Sequence, residues 1–319
     1  MQQFLGVDDV SGSVSDLIEK CLAIKADPKA SRYAGENKTL TCLYLNSSLR
    51  TRLSTEKAAR NLEMNIANLD FGSGWNIELL DGSIMDLETV EHVKEAAGVI
   101  SQYTDLLAIR TAADLDDRET DYQDRVINSF VRHAKVPVIN LESAIRHPLQ
   151  SLADCITIQE QSSRPRPKVV LSWAPCPIPL SQAVPNSFVE WMRAWGEVEL
   201  VITNPPGMDL DPDFIGDTPV FHDQAKAFAG ADFIYAKNWS SYQDYGKVYT
   251  QGQNWRITQE LMNRTNNGKF MHCLPVRRNV VVDDPVLDCD QSLVMEQAAN
   301  RTWAAQGVLL EILGELRKE

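Results

Sequence analysis

The sequence predicts an α/β protein of two domains, each a parallel sheet flanked by helices, and three observations carry that expectation. Short β-rich runs alternate with amphipathic helical stretches along the chain, as in strands joined by crossover helices. The alternation breaks at "SSRPRPK" (162–168), which is polar and proline-rich, and then restarts. The 319 residues also suffice for two cores of ordinary size.

In the first half, strands are expected at Leu40–Leu45, Asn65–Leu69, Asp105–Arg110 and Val136–Asn140. Helices are expected between them at Thr51–Glu63, Val90–Gln102 and Asp121–His133, and a helix at Pro148–Gln161 closes the half. The first domain is therefore expected over 1–161 and the second over 162–319. In the second, Lys168–Trp173, Val198–Thr203, Ala231–Ala236 and Lys269–Cys273 read as strands, with helices at Pro185–Trp195, Asp223–Phe228 and Thr258–Asn263. A final helix, 296–316, is apolar at helical spacing through Trp303, Val308, Leu309, Ile312 and Leu313. It is expected to return to the first domain.

Composition removes several functional classes. The apolar (44%) and charged (24%) fractions are those of a globular protein. No apolar run is long enough to span a bilayer, and "MQQFLGVDDVSGSVSDL" lacks a basic segment followed by an apolar one, so a cytoplasmic protein is expected. A net charge of −13 argues against nucleic acid, which needs a basic surface. The six cysteines show no CxxC pairing and no zinc-like histidine spacing, and neither metal nor cofactor is expected. An acidic protein that binds an anion must gather its positive charge in one place.

Ligands of open parallel sheets bind beyond the carboxyl ends of the strands, and a site shared by two lobes lies in their cleft. The unusual polar clusters fall there: "NSSLRTR", "RTAAD" and "LESAIRHPLQ" in the first half, "WAPCPIPL", "AKNWSS" and "HCLPVRRN" in the second. The stretch Asn46–Thr55, "NSSLRTRLST", is the most suggestive. A helix N-terminus offers unpaired N–H groups, to which it adds hydroxyls and Arg50, with Arg52 close behind. An arginine fork suits phosphate. GxxxxGK[ST] and a strand-linked GxGxxG are both missing, so a small phosphate compound fits better than a nucleotide. In isolation, Ser48 or Thr51 merely capping the helix is the commoner arrangement.

"SSLRTR", "HPLQ" and "HCLP", in this order and at these separations, resemble the aspartate/ornithine carbamoyltransferase family over nearly the whole chain. The resemblance implies a first domain for carbamoyl phosphate, a second for an amine, and homotrimers that share active sites between subunits. Residue by residue it implies that Ser47, Ser48, Leu49, Arg50 and Arg110 bind phosphate, while His147 and Arg110 polarise the carbonyl. Pro148, Leu149 and Gln150 complete the pocket, with Gln150 on the carbamoyl amide. Cys273 and Leu274 lie beside the carbamoyl group and the incoming amine, and Arg301 approaches the carbamoyl oxygen. Neither metal nor covalent intermediate is implied. His147 as a simple helix cap and Cys273 as a core residue are the plainer readings, and His92, His133 and His222 are expected to be solvated or structural.

Departures from the ordinary pattern bear on the amine. Ornithine carbamoyltransferases carry D-x-x-x-S-M-G where this chain has "KNWSSYQ", so Lys237 replaces the aspartate that holds the α-ammonium. A cation there repels free ornithine and suits one whose α-amine is acylated. "FGSGW", "WAPCPIPLSQAVPNS" and "YAKNW" are similar to the N-acylornithine branch. That likeness implies that Glu142, Lys237 and Arg277 contact the acylated ornithine, and that Trp75 and the loop "DLETVEHV" reach a neighbouring subunit's site. Acetyl enzymes carry glutamate opposite Val90 and succinyl enzymes proline. The uncharged Val90 and the short "TNPPGMDLDPDF" connection favour succinyl. Cys176 and Ile178, where the succinyl branch tends to have His and Arg, keep the acetyl alternative open, and a non-catalytic anion-binding protein is a distant one.

Overall fold

The computed structural model describes residues 1–71 and 75–317. It divides into two compact units. The first comprises Met1–Ala113, Glu119–Leu149 and the chain from Arg301 onward; the second comprises Asp114–Arg118 and Gln150–Asn300.

The first unit opens with α1 (Val14–Ala26), capped by Ser13, whose side chain accepts from Asp16 N while Asp16 reaches back to Ser13 N. Sequence reading passed over this helix, although its buried Val14, Leu17, Ile18 and Cys21 follow helical spacing. Then come β1 (Thr39–Tyr44), α2 (Leu49–Asn61), β2 (Asn65–Asp70), the two-residue strands β3 (Ile77–Glu78) and β4 (Glu91–His92), α3 (Val93–Tyr103) and β5 (Leu106–Arg110). The single helix expected at 121–133 is two, α4 (Arg118–Tyr122) and α5 (Arg125–His133), because Asp124 between them is left-handed at φ 48°. β6 (Val138–Glu142) runs two residues further than expected and so carries Glu142 itself; α6 (Pro148–Gln161) follows.

The main sheet of this unit is parallel, in the order β2-β1-β5-β6. Leu43, Leu107, Ile109, Ile127, Phe130 and Val138 form its core with α3 and α5. Because β1 is internal and the chain moves first to one side and then to the other, the order reverses between β1 and β5. That is the switch point where parallel sheets hold ligands. Leu49 and Arg50 follow β1 there, and Arg110 ends β5.

The second unit holds β7 (Lys168–Trp173), α7 (Ala183–Trp195), β8 (Glu199–Thr203), α8 (Pro212–Ile215), β9 (Val220–Phe221), α9 (Gln224–Phe228), β10 (Phe233–Lys237), α10 (Gln259–Met262), β11 (Lys269–Met271) and α11 (Asp284–Leu287). Its sheet is parallel in the order β11-β10-β7-β8-β9, with the reversal between β7 and β10. Val170, Ile234, Phe228 and Phe270 centre its core. Segment 114–118 joins this unit through Arg118, which donates to the Tyr242 carbonyl at 2.9 Å and stacks on its ring.

The last helix, α12 (Val294–Leu316), passes into the first unit at Arg301 and packs there, as expected. Asn61 Nδ2 donates to Gln306 Oε1 at 2.8 Å, and Lys20 pairs with Glu311 at 2.5 Å. Val308, Leu309, Ile312 and Leu313 are buried. No helix among the described residues is long and apolar enough to cross a membrane.

Candidate active site

In the first unit the helix after β1 begins two residues earlier than the sequence suggested, so Leu49 and Arg50 occupy its first turn. Ser48 is the N-cap and its hydroxyl accepts from Thr51 N. Capping and anion binding use the same end of the helix, since one hydroxyl satisfies only one of several orphan N–H groups. Ser47 and Leu49 are exposed; Ser48 and Arg50 are half-buried. Arg52 does not join them. It pairs with Asp70 and lies over the Tyr44 ring, 4.3 Å from its centroid.

The positive charge gathers around Thr51 instead. Arg301 Nη2 donates to Thr51 Oγ1 at 2.6 Å, and Arg110 Nη1 donates to the same oxygen at 3.3 Å. His147 Nε2 stands 3.5 Å from Arg301 Nη2 and 3.5 Å from Glu142 Oε2. Glu142 also pairs with Arg110. Thr51, His147 and Arg301 are buried, and Arg110 and Glu142 nearly so. Arg110 Nε is buried and has no hydrogen-bond acceptor among the described residues, which leaves a guanidinium donor for an anion. Four residues singled out in the sequence, Arg110, Glu142, His147 and Arg301, thus form one cluster. Thr51, seen in the sequence only as a cap, holds two of its guanidiniums together.

The loop before His147 has its own support. Ser143 donates its hydroxyl to Asp124 Oδ2 at 2.6 Å, and Ala144 N donates to Asp124 Oδ1 at 3.0 Å. Burial pushes the Asp124 carboxyl above its ordinary value, against the pull of these two bonds. Pro148 and Leu149 open α6 and are buried.

Trp75 and Val90 stand apart from this cluster. Trp75 Nε1 donates to Glu91 Oε2 at 2.9 Å, and Val90 N donates to the Asn76 carbonyl at 3.0 Å, pinning both ends of an extended loop. The loop is unusually apolar for its exposure: Ile84 is 83% and Leu87 87% exposed, and Trp75 and Val90 more than half. Gly72, Ser73 and Gly74 of "FGSGW" lie outside the described residues. His92 has a structural role, its Nδ1 capping α3 by accepting from Lys94 N.

In the second unit, Gln150 is buried on α6, and its Nε2 donates to Asp154 at 2.8 Å. Lys237 ends β10, half-buried, and its carbonyl accepts from Ala174 N at the end of the neighbouring β7. Buried Cys176 follows two residues later, whereas Ile178 is exposed. Strand β11 stops at Met271, short of the expected Cys273, and just beyond it His272 N donates to Gln297 Oε1 at 2.9 Å. Cys273 is buried beyond that end, and Leu274 adopts φ 56° while its N–H donates to His272 Nδ1 at 2.9 Å. Arg277 is exposed, and Arg278 is held at the surface by Asp284 and Asp288.

Both sheets thus present their unusual polar residues at the ends predicted by the switch-point rule. The first supplies cations and an imidazole suited to a phosphate and a polarised carbonyl. Known proteins are similar to this chain in sequence and fold. The model of the aspartate/ornithine carbamoyltransferase carbamoyl-P binding domain matches residues 2–160, and that of the Asp/Orn binding domain matches 181–312. The chain is 49% identical to an N-succinylornithine carbamoyltransferase of Bacteroides fragilis, over 99% of this chain and 100% of that one. It is 33% identical to an N-acetylornithine carbamoyltransferase of Xanthomonas campestris, over 99% of each. A solved N-acetyl-L-ornithine transcarbamylase, in a glutamate-to-valine variant complexed with carbamyl phosphate and N-succinyl-L-norvaline, superposes with a TM-score of 0.91. It is 32% identical and covers 98% of this chain and 100% of that one. On its motifs, its paired parallel sheets and these matches across both halves, the chain belongs to the aspartate/ornithine carbamoyltransferase family.

Proposed function

We propose that the protein transfers the carbamoyl group of carbamoyl phosphate to the side-chain amine of N2-succinyl-L-ornithine, giving N2-succinyl-L-citrulline and phosphate. The observation that carries this reading is the full-length 49% identity to an enzyme named for that substrate, against 33% to one named for the acetyl compound.

The neutral amine attacks the carbonyl carbon, a C–N bond forms, the C–O bond to phosphate breaks, and the amine sheds its proton. The carbonyl oxygen gains negative charge on the way. Arg110, His147 and Arg301 stabilise it, and Arg110 with the helix start Ser47–Arg50 takes the departing phosphate. Pro148 and Leu149 shape the pocket, Gln150 holds the carbamoyl amide, and Cys273 and Leu274 flank it beside the incoming amine. The first domain binds carbamoyl phosphate and the second the acylated ornithine, through Lys237 and Arg277, with Cys176 near the acyl end and Glu142 contributing from the first. Trp75 and Val90 act from a loop whose exposed apolar residues suit burial against another subunit of a homotrimer. On this reading the enzyme works in arginine biosynthesis, with N2-succinyl-L-citrulline as its product, in the cytoplasm.

Support for succinyl over acetyl comes from Val90. Acetyl enzymes are expected to carry glutamate there, and variants of an acetyl enzyme with that kind of change, glutamate to alanine, valine or proline, are solved with a succinylated ligand. An uncharged side chain removes like-charge repulsion against the succinyl carboxylate. Product formation from carbamoyl phosphate with ornithine, N-acetylornithine and N-succinylornithine in parallel tests the reading. Preference for the succinyl compound is expected. Preference for the acetyl compound would overturn the acyl assignment, and activity with free ornithine alone would overturn the role of Lys237.

A further inference from the structure

Behind Gln150, in the second unit, lies a carboxyl group with no part in the chemistry above. Asp154, one helical turn along α6, is fully buried, and its Oδ1 accepts from Gln150 Nε2 at 2.8 Å and from Gln297 Nε2 at 2.7 Å. Gln297 turns its other end to the backbone, Oε1 accepting from His272 N at 2.9 Å, just ahead of Cys273. The Tyr235 hydroxyl faces both Asp154 and Cys273, and burial chiefly, with those two groups, drives its pKa well upward, so it stays a neutral phenol.

The chemistry of an amide makes this arrangement directional. A glutamine has a donor end and an acceptor end of nearly the same shape, and which end faces a ligand depends on what holds the other. A carboxyl oxygen that takes two N–H groups can only be met by the NH2 end. Gln150 Oε1 is therefore turned away from Asp154; it is buried and has no hydrogen-bond donor among the described residues. A buried acceptor left unpaired is unfavourable, and a ligand N–H recovers that cost.

We infer that Asp154 is a positioning residue that fixes the Gln150 amide with its carbonyl toward the ligand, so that the site selects an NH2 group over an isosteric CH3. This rests on the carbamoyl-phosphate reading. Gln297 shares the same carboxyl and ties it to the chain leading into Cys273, but the choice of end is made by Asp154 alone. The prediction concerns a ratio. Carbamoyl phosphate and acetyl phosphate carry the same phosphate and carbonyl and differ only in NH2 against CH3. Inorganic phosphate reports the anion socket without either.

The experiment measures dissociation constants of carbamoyl phosphate, acetyl phosphate and inorganic phosphate for the full-length wild type, Asp154→Asn and Gln297→Met, with unfolding curves to establish that each is folded. Wild type is expected to prefer carbamoyl over acetyl phosphate. In Asp154→Asn the new amide can offer a donor, Gln150 can reverse, and the preference is expected to fall by about tenfold, one hydrogen bond's worth, with phosphate binding unchanged. Gln297→Met is expected to keep the preference. A folded Asp154→Asn protein with wild-type preference overturns the inference, and so does an equal loss in Gln297→Met, which would trace the effect to general loosening. Asp154→Ala, which offers no acceptor and adds no bulk, takes the place of Asp154→Asn if that variant does not fold. Failure of wild type to bind any of the three compounds instead removes the reading of the reaction.

Discussion

Gly307 is a point of close approach between the returning helix and α1, and replacing it by alanine sets two effects against each other. A Cβ at Gly307 would lie 2.5 Å from Cys21 Sγ on α1, far inside normal contact, with Ile24 Cδ1 at 3.8 Å. Alanine in a helix is favoured over glycine by about 1 kcal/mol. Overpacking a rigid core costs about 1–3 kcal/mol. Cys21 is fully buried, and its side chain is too short to swing clear. Since Cys21 cannot move aside, the upper part of that range, about 2–3 kcal/mol, applies, and Gly307→Ala should be less stable by about 1–2 kcal/mol in net. Cys21→Ala removes the obstructing sulfur at the cost of a small cavity. In the double variant the two changes should compensate, with a coupling of about 1–2 kcal/mol. Chemical unfolding of the four proteins measures this directly. Arg301 lies six residues back on the same helix, about 9 Å along its axis, so kcat/KM should fall in the single variant and recover in the double. A Gly307→Ala protein as stable as wild type, or a cycle without coupling, would refute the packing of α12 against α1.

Other expectations follow from the same geometry. His147→Ala should lower turnover by about 10²-fold or more while leaving the unfolding curve near that of wild type, and wild-type-like turnover in a folded variant would remove His147 from the mechanism. Asp124, with its folded pKa raised by burial, contributes most to stability below its ordinary value of 3.8 and loses that contribution as pH rises through the folded value. Asp124→Asn should flatten this part of the pH–stability curve, and an unchanged curve would refute the burial argument. Cys42, buried and pushed up to about 12 like Cys21, should resist thiol reagents near neutral pH until the protein unfolds, as mass spectrometry of the labelled protein can establish.

The sequence made some of this legible and not the rest, for physical reasons. Strands such as Lys168–Trp173 were read to the residue because they are buried on both faces and end at turn formers. The site's motifs were legible because switch points collect polar residues just where apolar runs stop. What escaped notice depends on contacts between distant parts of the chain. Arg50 and Arg52 look alike in sequence, and only Asp70, eighteen residues on, shows that one of them is a surface partner. Thr51 reads as a cap until Arg301 arrives from a helix 250 positions away. The residue after β11, His272, donates its N–H to Gln297 from a helix 25 positions on, which no local pattern announces.

The gathering of charge at the first switch point also explains why Glu142 belongs there. Arg110 and Arg301 share the hydroxyl of Thr51, so two guanidiniums sit side by side in a nearly dry place. At about 4 Å and an effective dielectric near 20, two such charges repel by about 4 kcal/mol. A carboxylate within reach of Arg110 and His147 offsets this cost and leaves one surplus positive charge from the three side chains, before any on the imidazole. On the proposed reading, the phosphate of the substrate would meet a cationic pocket whose geometry is already fixed by Thr51, rather than one it must assemble. The overall charge of −13 makes the confinement necessary, because the surrounding acidic surface would otherwise turn the same anion away. The acidic composition and the cationic cluster are thus two sides of one arrangement: what the rest of the chain repels, this end of the sheet retains.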